Sequence, residues 1–189
     1  WGGVGPTLSP ADHIKLTDVV CVGEGEKAFE EFVLAVRDGK DYKNIKNLWV
    51  KDGSKIIKNP QGPLIQALDN LPFAEYGNKN MYFINENKLQ KEDPELDHSI
   101  LYLQSSRGCP YSCSFCVETM YHDMFKGLGK FVRRRSVGNI IEEVHSHLNR
   151  PGNRKKRVYF LDEVFGSAPN FIDEFAPRWK KEVGLPFDV

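Results

Sequence analysis

The cysteine spacing constrains this chain more than any other feature of its sequence. Cys109, Cys113 and Cys116 stand in the run RGCPYSCSFC, which has CxxxCxxC spacing on a segment that also contains glycine and proline. Three thiolates so close in sequence can hold three corners of a cubane iron–sulfur cluster and leave the fourth iron without a protein ligand. An open coordination position on a metal is where a substrate binds. The spacing therefore predicts a reactive metal centre.

Two other uses of these cysteines stay open from the residues alone. A structural zinc site usually has four ligands, with cysteine pairs separated by a dozen or more residues, and the nearest candidate fourth ligand here is His122. A disulfide would close only a very short loop and would leave unpaired thiols. The iron–sulfur interpretation is favoured because the spacing is local and the ligands number three.

The cysteine run resembles the cluster motif of the radical S-adenosylmethionine (SAM) enzymes, CxxxCxΦC, with Phe115 at the aromatic position. The resemblance implies that Cys109, Cys113 and Cys116 ligate a [4Fe–4S] cluster whose open iron binds the amino and carboxylate groups of SAM. It further implies reductive cleavage of SAM to a 5′-deoxyadenosyl radical, an electron donor such as a flavodoxin or ferredoxin, and SAM binding by the backbone of Phe115. The positive charge of Arg107 would favour deprotonated thiols.

The residues around the cysteines predict alternating strands and helices. Short apolar runs rich in strand formers predict strands at 99–105, 157–161 and 185–189. Apolar residues at helical period predict a helix with Ser136 as its N-cap and a second helix from about 170 to 183, where Pro177 suggests a kink or an early break. This βα succession predicts the parallel sheet of a barrel.

An acidic pair, Asp162 and Glu163, follows the second of these strands in the segment FLDEVF. Active residues of such barrels come from the C-terminal ends of strands. The segment also resembles the second motif of radical SAM enzymes, which receives the amino group of SAM, so the resemblance implies that Asp162 and Glu163 help to hold SAM. An amine favours a carboxylate acceptor. The residues alone leave open that Asp162 caps the next helix.

The first half of the chain has the pattern of a Rossmann-like fragment. The run WGGVGPT precedes a helix start at Ser9, the run DVVCV predicts a short buried strand, and GEGE leads into a helix that ends at Gly39. Glycines at strand ends are where ligands lie against the backbone in doubly wound folds. A complete GxGxxG does not stand in the right place, so the fragment alone does not specify a ligand.

Beside the cysteine motif, GGVGPTLSP and DVVCVGEGE resemble the C-terminal part of the cobalamin-binding domain that precedes the barrel in many radical SAM enzymes. The resemblance implies cobalamin contacts at Gly2, Gly3, Gly5, Thr7, Gly23, Glu24 and Gly25. The DxHxxG motif that supplies the lower cobalt ligand in some members is not in this chain, and His13 is no substitute for it. A nucleotide-type fold without a ligand stays the alternative. Cys21 is interpreted as a small buried hydrophobe.

A connector is predicted between the two halves. Asp52-Gly53 predicts a β-hairpin, followed by a proline-rich linker at 59–76 and a polar surface loop at 77–98. The predicted fold is α/β, and we divide it into the C-terminal part of a Rossmann-like cobalamin-binding domain at 1–42, a hairpin-containing linker at 43–98, and the first βα units of a radical SAM partial TIM barrel at 99–189.

Composition limits the partners that the chain can be expected to bind. The 26 basic and 26 acidic residues give a net charge of zero, and the run Arg133–Arg135 is isolated, so nucleic-acid binding is not predicted. No run approaches the ~20 apolar residues that a membrane helix needs. Four cysteines without a disulfide framework or a visible signal peptide predict a cytoplasmic protein. Because both ends fall at predicted strands, we expect a segment of a longer protein.

The sequence thus predicts a radical SAM enzyme acting on an unidentified small molecule. Methyl transfer to an unactivated carbon, dependent on cobalamin, is the leading chemistry, and radical cyclisation or rearrangement is another. One alternative is a radical SAM enzyme that does not use cobalamin. A second alternative is a non-catalytic, zinc-stabilised Rossmann-like module that binds a partner.

Overall fold

The computed structural model describes residues 1–75, 82–91, 93 and 98–189. The chain divides into two compact units. The first unit comprises residues 1–65 and 127–129, and the second comprises residues 66–126 and 130–189. Within the described ranges, every helix is too short or too polar to cross a lipid bilayer.

The first unit packs helices against an antiparallel sheet. Its helices are α1 (Val4–Leu8), α2 (Pro10–His13) and α3 (Glu26–Arg37), and its strands are β1 (Val19–Cys21), β2 (Leu48–Asp52) and β3 (Lys55–Lys58). The strand order is β1–β2–β3. Gly39 adopts a φ of +64° just after α3, which is the left-handed conformation that often ends a helix. The buried apolar side chains form two small clusters, one of Ile14, Val20 and Val22 and one of Ala28, Leu48 and Val50.

This sheet differs from the doubly wound pattern that the first half of the sequence suggested. Strands β1 and β2 run antiparallel, with Val20 opposite Trp49. Residues 38–47 are a long connection that returns the chain along the sheet after α3, so β2 runs opposite to β1. The hairpin predicted at Asp52-Gly53 forms, with a φ of +61° at Gly53. Its two strands extend the sheet of β1.

The second unit is built on a parallel sheet. Its strands are β4 (Phe83–Asn85), β5 (Lys88–Gln90), β6 (Ile100–Leu103), β7 (Ser106–Arg107), β8 (Arg133–Arg134), β9 (Arg157–Phe160) and β10 (Phe187–Asp188). Its helices are α4 (Val117–Met124), α5 (Val137–Leu148), α6 (Phe171–Glu182) and a 3₁₀ turn at Leu68–Asn70. Strands β6, β9 and β10 pair in parallel in that order, as the βα succession predicted.

The main core of the second unit is formed by β6, β9, α5 and α6. Alternate strand residues are buried, and the intervening Tyr102 and Tyr159 are exposed, as expected for a sheet with one covered face. The core side chains are Leu101, Leu103, Val137, Ile140, Ile141, Val144, Val158, Phe160, Phe171, Phe175 and Trp179. Helix α6 continues through Pro177, so the early break considered from the sequence does not occur. Phe175 and Trp179, which flank the proline, are both buried and hold the helix on the core.

Strands β4 and β5 form an antiparallel hairpin where the sequence predicted a surface loop. Glu86 and Asn87 at its turn have φ values of +48° and +61°, and two successive positive φ values are typical of a type I′ turn. Neither residue is glycine, which explains why the sequence signal was weak. The rest of the predicted loop, residues 77–81, 92 and 94–97, lies outside the described residues.

Ser136 caps α5 as predicted, since its Oγ accepts a hydrogen bond of 3.1 Å from the backbone N–H of Asn139. We expect Ser136→Ala to lower the free energy of unfolding by about 1 kcal/mol, measured by chemical denaturation. Ser146→Ala is the matched control, because that hydroxyl donates to the Glu143 carbonyl within the helix, where alanine is well tolerated. An equal loss in both variants would contradict the importance of the cap.

Candidate functional site

The three cysteines lie on the segment between β7 and α4, beyond the C-terminal end of β6. All three thiols are free. Cys116 is the N-cap residue of α4, and its backbone N–H donates to the carbonyl of Cys113 at 2.9 Å, which closes a tight turn. Cys109 is buried and Cys113 is exposed. The Cys109 Sγ accepts a 3.4 Å hydrogen bond from the backbone N–H of Tyr111.

The donor set of three free thiols on one loop fits an iron–sulfur cluster by its chemistry. Among the residues that the structure describes, no three His, Cys, Asp or Glu side chains converge closely enough to hold a single metal ion. In a cubane, each thiolate binds a different iron, so the thiolates stand further apart than they do around one zinc ion. His122, the candidate fourth zinc ligand, instead directs its Nε2 to the carbonyl of Cys109 at 2.8 Å.

Two large aromatic side chains of the cysteine segment face solvent. Phe115, at the aromatic position of the motif, is 91% exposed, and Tyr111 is 60% exposed. Both residues stand close to predicted cluster ligands in the sequence, Tyr111 two positions after Cys109 and Phe115 directly before Cys116.

Asp162 joins the ends of β6 and β9. Its carboxylate accepts hydrogen bonds from the backbone N–H of Ser105 at 2.9 Å, from the Ser105 hydroxyl at 2.6 Å and from the Ser106 hydroxyl. Both serines are buried and lead directly into the cysteine segment. The carboxylate of Asp162 therefore fixes the path by which the chain enters that segment.

Glu163 stands next to this junction with its side chain at the surface. Desolvation by the surrounding protein raises the pKa of its carboxyl above the ordinary value, and the negative charges of Glu118 and Asp162 act in the same direction. Arg107 acts in the opposite direction. A carboxyl with a raised pKa favours a neighbouring cation, because the cation would stabilise its charged form.

In the first unit, the two glycine-containing segments predicted to bind cobalamin lie together beside β1. The Thr7 hydroxyl oxygen accepts a 3.1 Å hydrogen bond from the backbone N–H of Gly23, which joins the segments directly. The backbone N–H of Cys21 donates to the carbonyl of Trp1 at 2.8 Å. Burial raises the pKa of the Cys21 thiol, although this side chain is only half-buried and lies on β1, an edge strand of the sheet.

The glycines of these segments differ in the space beside them. A Cβ atom added at Gly5 would lie 3.3 Å from the His13 ring, which is a tight contact, whereas one at Gly2 or Gly25 would lie 3.5 Å from Cys21 side-chain atoms, which is an ordinary contact. Gly3 has a φ of +99°, which a larger residue rarely adopts, and the space beside it is open. An open flank of bare backbone at Gly3 fits contact with a large planar cofactor.

Glu24, also predicted to contact cobalamin, is engaged within the first unit. Its carboxylate accepts a 2.7 Å hydrogen bond from the backbone N–H of Ile65, and its backbone carbonyl accepts one of 2.7 Å from the side-chain amide of Asn47. Through its bond to Ile65, Glu24 fastens the segment that follows the hairpin to the first unit.

Glu118 was not predicted from the sequence to belong to the site. This side chain is 6% exposed, and its Oε2 accepts a 3.1 Å hydrogen bond from the backbone N–H of Cys109. With His122, it bonds the backbone of a predicted cluster ligand. The signal available in the sequence was a pair of polar residues four positions apart on the helix that directly follows the cysteine motif.

Comparisons with known proteins bear on the class of this chain. No family model matches the sequence. An uncharacterized methyltransferase of Pyrococcus horikoshii is 32% identical over 183 residues, which cover 94% of this chain and 36% of that protein. The radical SAM methyltransferase TsrM of Kitasatospora setae, solved with cobalamin and a [4Fe–4S] cluster bound, matches with a TM-score of 0.62 at 16% identity, covering 95% of this chain and 34% of TsrM. The cobalamin-dependent SAM radical enzyme OxsB, solved with aqua-cobalamin and SAM, matches with a TM-score of 0.53 at 20% identity, covering 91% of this chain and 22% of OxsB.

The chain has the fold of the cobalamin-dependent radical SAM enzymes, which confirms the resemblance and the fold class predicted from the sequence. It spans about a third of the length of the Pyrococcus methyltransferase and of TsrM, 36% and 34% respectively. The roles of individual residues and the three-part division of the chain stay predictions.

Proposed function

We propose that this chain is part of a cobalamin-dependent radical SAM methyltransferase in which Cys109, Cys113 and Cys116 ligate a [4Fe–4S] cluster. The observation that carries the proposal is the set of three free thiols on one loop beyond β6, in a fold shared with TsrM and OxsB. Three protein ligands leave one iron open for SAM.

The cofactors supply the chemistry of this proposal. When bound, the cluster would supply one electron that cleaves one SAM molecule into methionine and a 5′-deoxyadenosyl radical, and cobalamin would carry a methyl group donated by a second SAM molecule. Methyl transfer is favoured over cyclisation because the Pyrococcus relative and TsrM are methyltransferases. The substrate is a small molecule, and an electron donor such as a flavodoxin or ferredoxin reduces the cluster in the cytoplasm.

Three residues near the thiols have different roles in the proposed binding of SAM. The backbone of Phe115 contacts SAM, and the carboxylate of Glu163 accepts a hydrogen bond from the amino group of SAM, which is a charge-assisted pair. Asp162 contributes by holding Ser105 and Ser106, since these already donate to its carboxylate. The surroundings of Glu163 disfavour its charged form. The positive charge of the SAM amino group would stabilise that form.

The first unit contributes the cobalamin contacts. The open backbone at Gly3 and the segments joined by the hydrogen bond between Gly23 and Thr7 support this role. Retention of a corrinoid by the full-length protein after desalting, seen in its visible spectrum, tests it. A protein that binds SAM but never retains a corrinoid would instead be a radical SAM enzyme that does not use cobalamin.

The cluster assignment is tested by replacing all three predicted ligands with alanine and reconstituting the protein anaerobically with iron and sulfide. We expect the wild type to gain a broad visible absorption and stoichiometric iron and sulfide, and the triple variant to gain neither. Cys21→Ala is the matched control. It removes the remaining cysteine, which lies in β1 of the first unit, and should leave cluster binding unchanged.

Two outcomes would contradict the assignment. Iron and sulfide retained by the triple variant would show that other residues hold the cluster. Zinc bound without sulfide in the wild type would favour the zinc-stabilised binding module.

A further inference from the structure

Cys109 is held through both polar groups of its backbone by side chains of α4. Glu118 Oε2 accepts from its N–H at 3.1 Å, and His122 Nε2 bonds its carbonyl at 2.8 Å. Cys109 and Glu118 are both nearly inaccessible, with exposures of 8% and 6%. A hydrogen bond to a buried carboxylate is stronger than one between neutral groups, because the charge is poorly screened there.

Helix geometry explains why these two side chains act on one residue. Glu118 and His122 are four positions apart, so they lie on the same face of α4, one turn above the other. The helix begins directly after Cys116, which is its N-cap residue. One rigid element therefore carries one predicted cluster ligand at its end and holds a second ligand, Cys109, along its side.

The chain on the other side of Cys109 is equally restricted. Gly108 has a φ of +83°, and a Cβ atom at this position would lie 2.6 Å from the carbonyl oxygen of Phe131. The ring of Phe131 lies 4.3 Å from the ring of His122, centroid to centroid. Phe131 thus packs closely against both Gly108 and His122, the side chain that bonds the Cys109 carbonyl.

Cys113 has a different environment. It is exposed, and its carbonyl accepts from the Thr119 hydroxyl at 2.7 Å and from the Cys116 N–H. These bonds come from residues close in sequence and form only a local turn. Among the predicted ligands, Cys109 is therefore the one whose backbone is bound by a buried charged side chain.

We propose that Glu118 and His122 are positioning residues that hold Cys109 as a fixed vertex of the cluster site, and that the charge of Glu118 keeps the reduction potential of the cluster low. The inference rests on the proposed cluster. Residues that orient metal ligands typically contribute about 10- to 100-fold to metal affinity. A buried negative charge beside a ligand disfavours the added electron, since cluster potentials depend on nearby charge and hydrogen bonds.

The test compares Glu118→Ala, Glu118→Gln and His122→Ala with the wild type of the full-length protein after anaerobic reconstitution. Met120→Ala is the matched control, because this exposed side chain lies on the same helix between the two positions. The measurements are bound iron and sulfide during a chelator challenge, the electron paramagnetic resonance spectrum of the reduced cluster, and its midpoint potential.

We expect Glu118→Ala and His122→Ala to weaken retention of the cluster about 10- to 100-fold. Glu118→Gln should retain the cluster, because the amide oxygen still accepts from the Cys109 N–H, but its midpoint potential should be more positive. Met120→Ala should match the wild type in every measurement. Circular dichroism confirms that each variant is folded, and the potential of the conservative Gln variant provides a test even where an alanine variant does not fold.

Wild-type retention, spectrum and potential in Glu118→Gln and His122→Ala would overturn the inference. A wild-type protein that binds no iron and sulfide would overturn the proposed function and this inference together. A wild-type protein that binds the cluster while the Glu118 and His122 variants behave like Met120→Ala would overturn this inference alone.

Discussion

Replacing Glu143 with alanine is expected to lower the free energy of unfolding by about 3–5 kcal/mol, because it leaves a buried charge without its partner. The Glu143 carboxylate lies 2.5 Å from the Arg135 guanidinium, and the two side chains are only 5% and 13% exposed. It also accepts a 3.2 Å hydrogen bond from the backbone N–H of Ala74. The variant would leave Arg135 poorly solvated and the Ala74 N–H without this acceptor.

The same carboxylate should make stability depend on pH. Burial alone would raise the pKa of Glu143, but three groups together hold it below the ordinary value of 4.5. These are His147, whose Nε2 lies 3.9 Å from the carboxylate, the charged and hydrogen-bonded Arg135, and the backbone N–H of Ala74. A pKa lower in the folded than in the unfolded state gives stability that is present above the unfolded value and is lost as the pH falls through the folded value. The acid-induced loss should therefore be smaller in Glu143→Gln than in the wild type.

Chemical denaturation at neutral pH and through the acid range measures both effects. Glu174→Ala is the matched control, since Glu174 also pairs with an arginine on a helix, but its side chain is 53% exposed. Water screens such a surface pair, so little loss is expected. Equal losses of unfolding free energy in Glu143→Ala and Glu174→Ala would show that burial does not make the Glu143–Arg135 ion pair more important for stability than an exposed one.

The βα part of the fold was predictable because its signals are local. The N-cap at Ser136 and the apolar period of the following helix are contained in one short stretch of sequence, and the parallel order of β6, β9 and β10 follows from the alternation of strands and helices. Pro177 was misleading for the opposite reason. Its local preference disfavours a helix interior, but the buried neighbours Phe175 and Trp179 hold that helix on the core.

Strand partners in the first unit were harder to predict because pairing is a long-range property. The alternation of β2 and the turn at Gly53 identify a hairpin, but they do not specify that β2 also pairs with β1 across residues 22–47. Likewise, Glu86 and Asn87 adopt positive φ values in a turn without glycine, where the residue types give only a weak indication.

The site shows the same division between local and long-range signals. The cysteine spacing was recognisable because all predicted ligands lie within one run of the chain. The hydrogen bonds of Asp162 go to Ser105 and Ser106, which are more than fifty positions earlier in the sequence. No local pattern distinguishes a carboxylate that ties two strands together from one that faces a ligand. For Glu118, the decisive fact is burial against the backbone of Cys109, which the sequence does not state.

Phe160→Ala is expected to lower the free energy of unfolding by about 3–5 kcal/mol, because it removes a buried ring and leaves a cavity at the centre of the second unit. Phe160 is 1% exposed, and its ring lies within 6 Å of several aromatic rings, those of Phe165, Phe175, Trp179 and Phe187. Phe115→Ala is the matched control, since this side chain is 91% exposed and should contribute little to stability. Chemical denaturation of both variants measures the difference, and similar stabilities would contradict the assigned core.

Because Phe160 lies on β9 only two residues before Asp162, its loss should also loosen the Asp162 bonds to Ser105 and Ser106. This loosening should be visible as faster amide hydrogen exchange at Ser105.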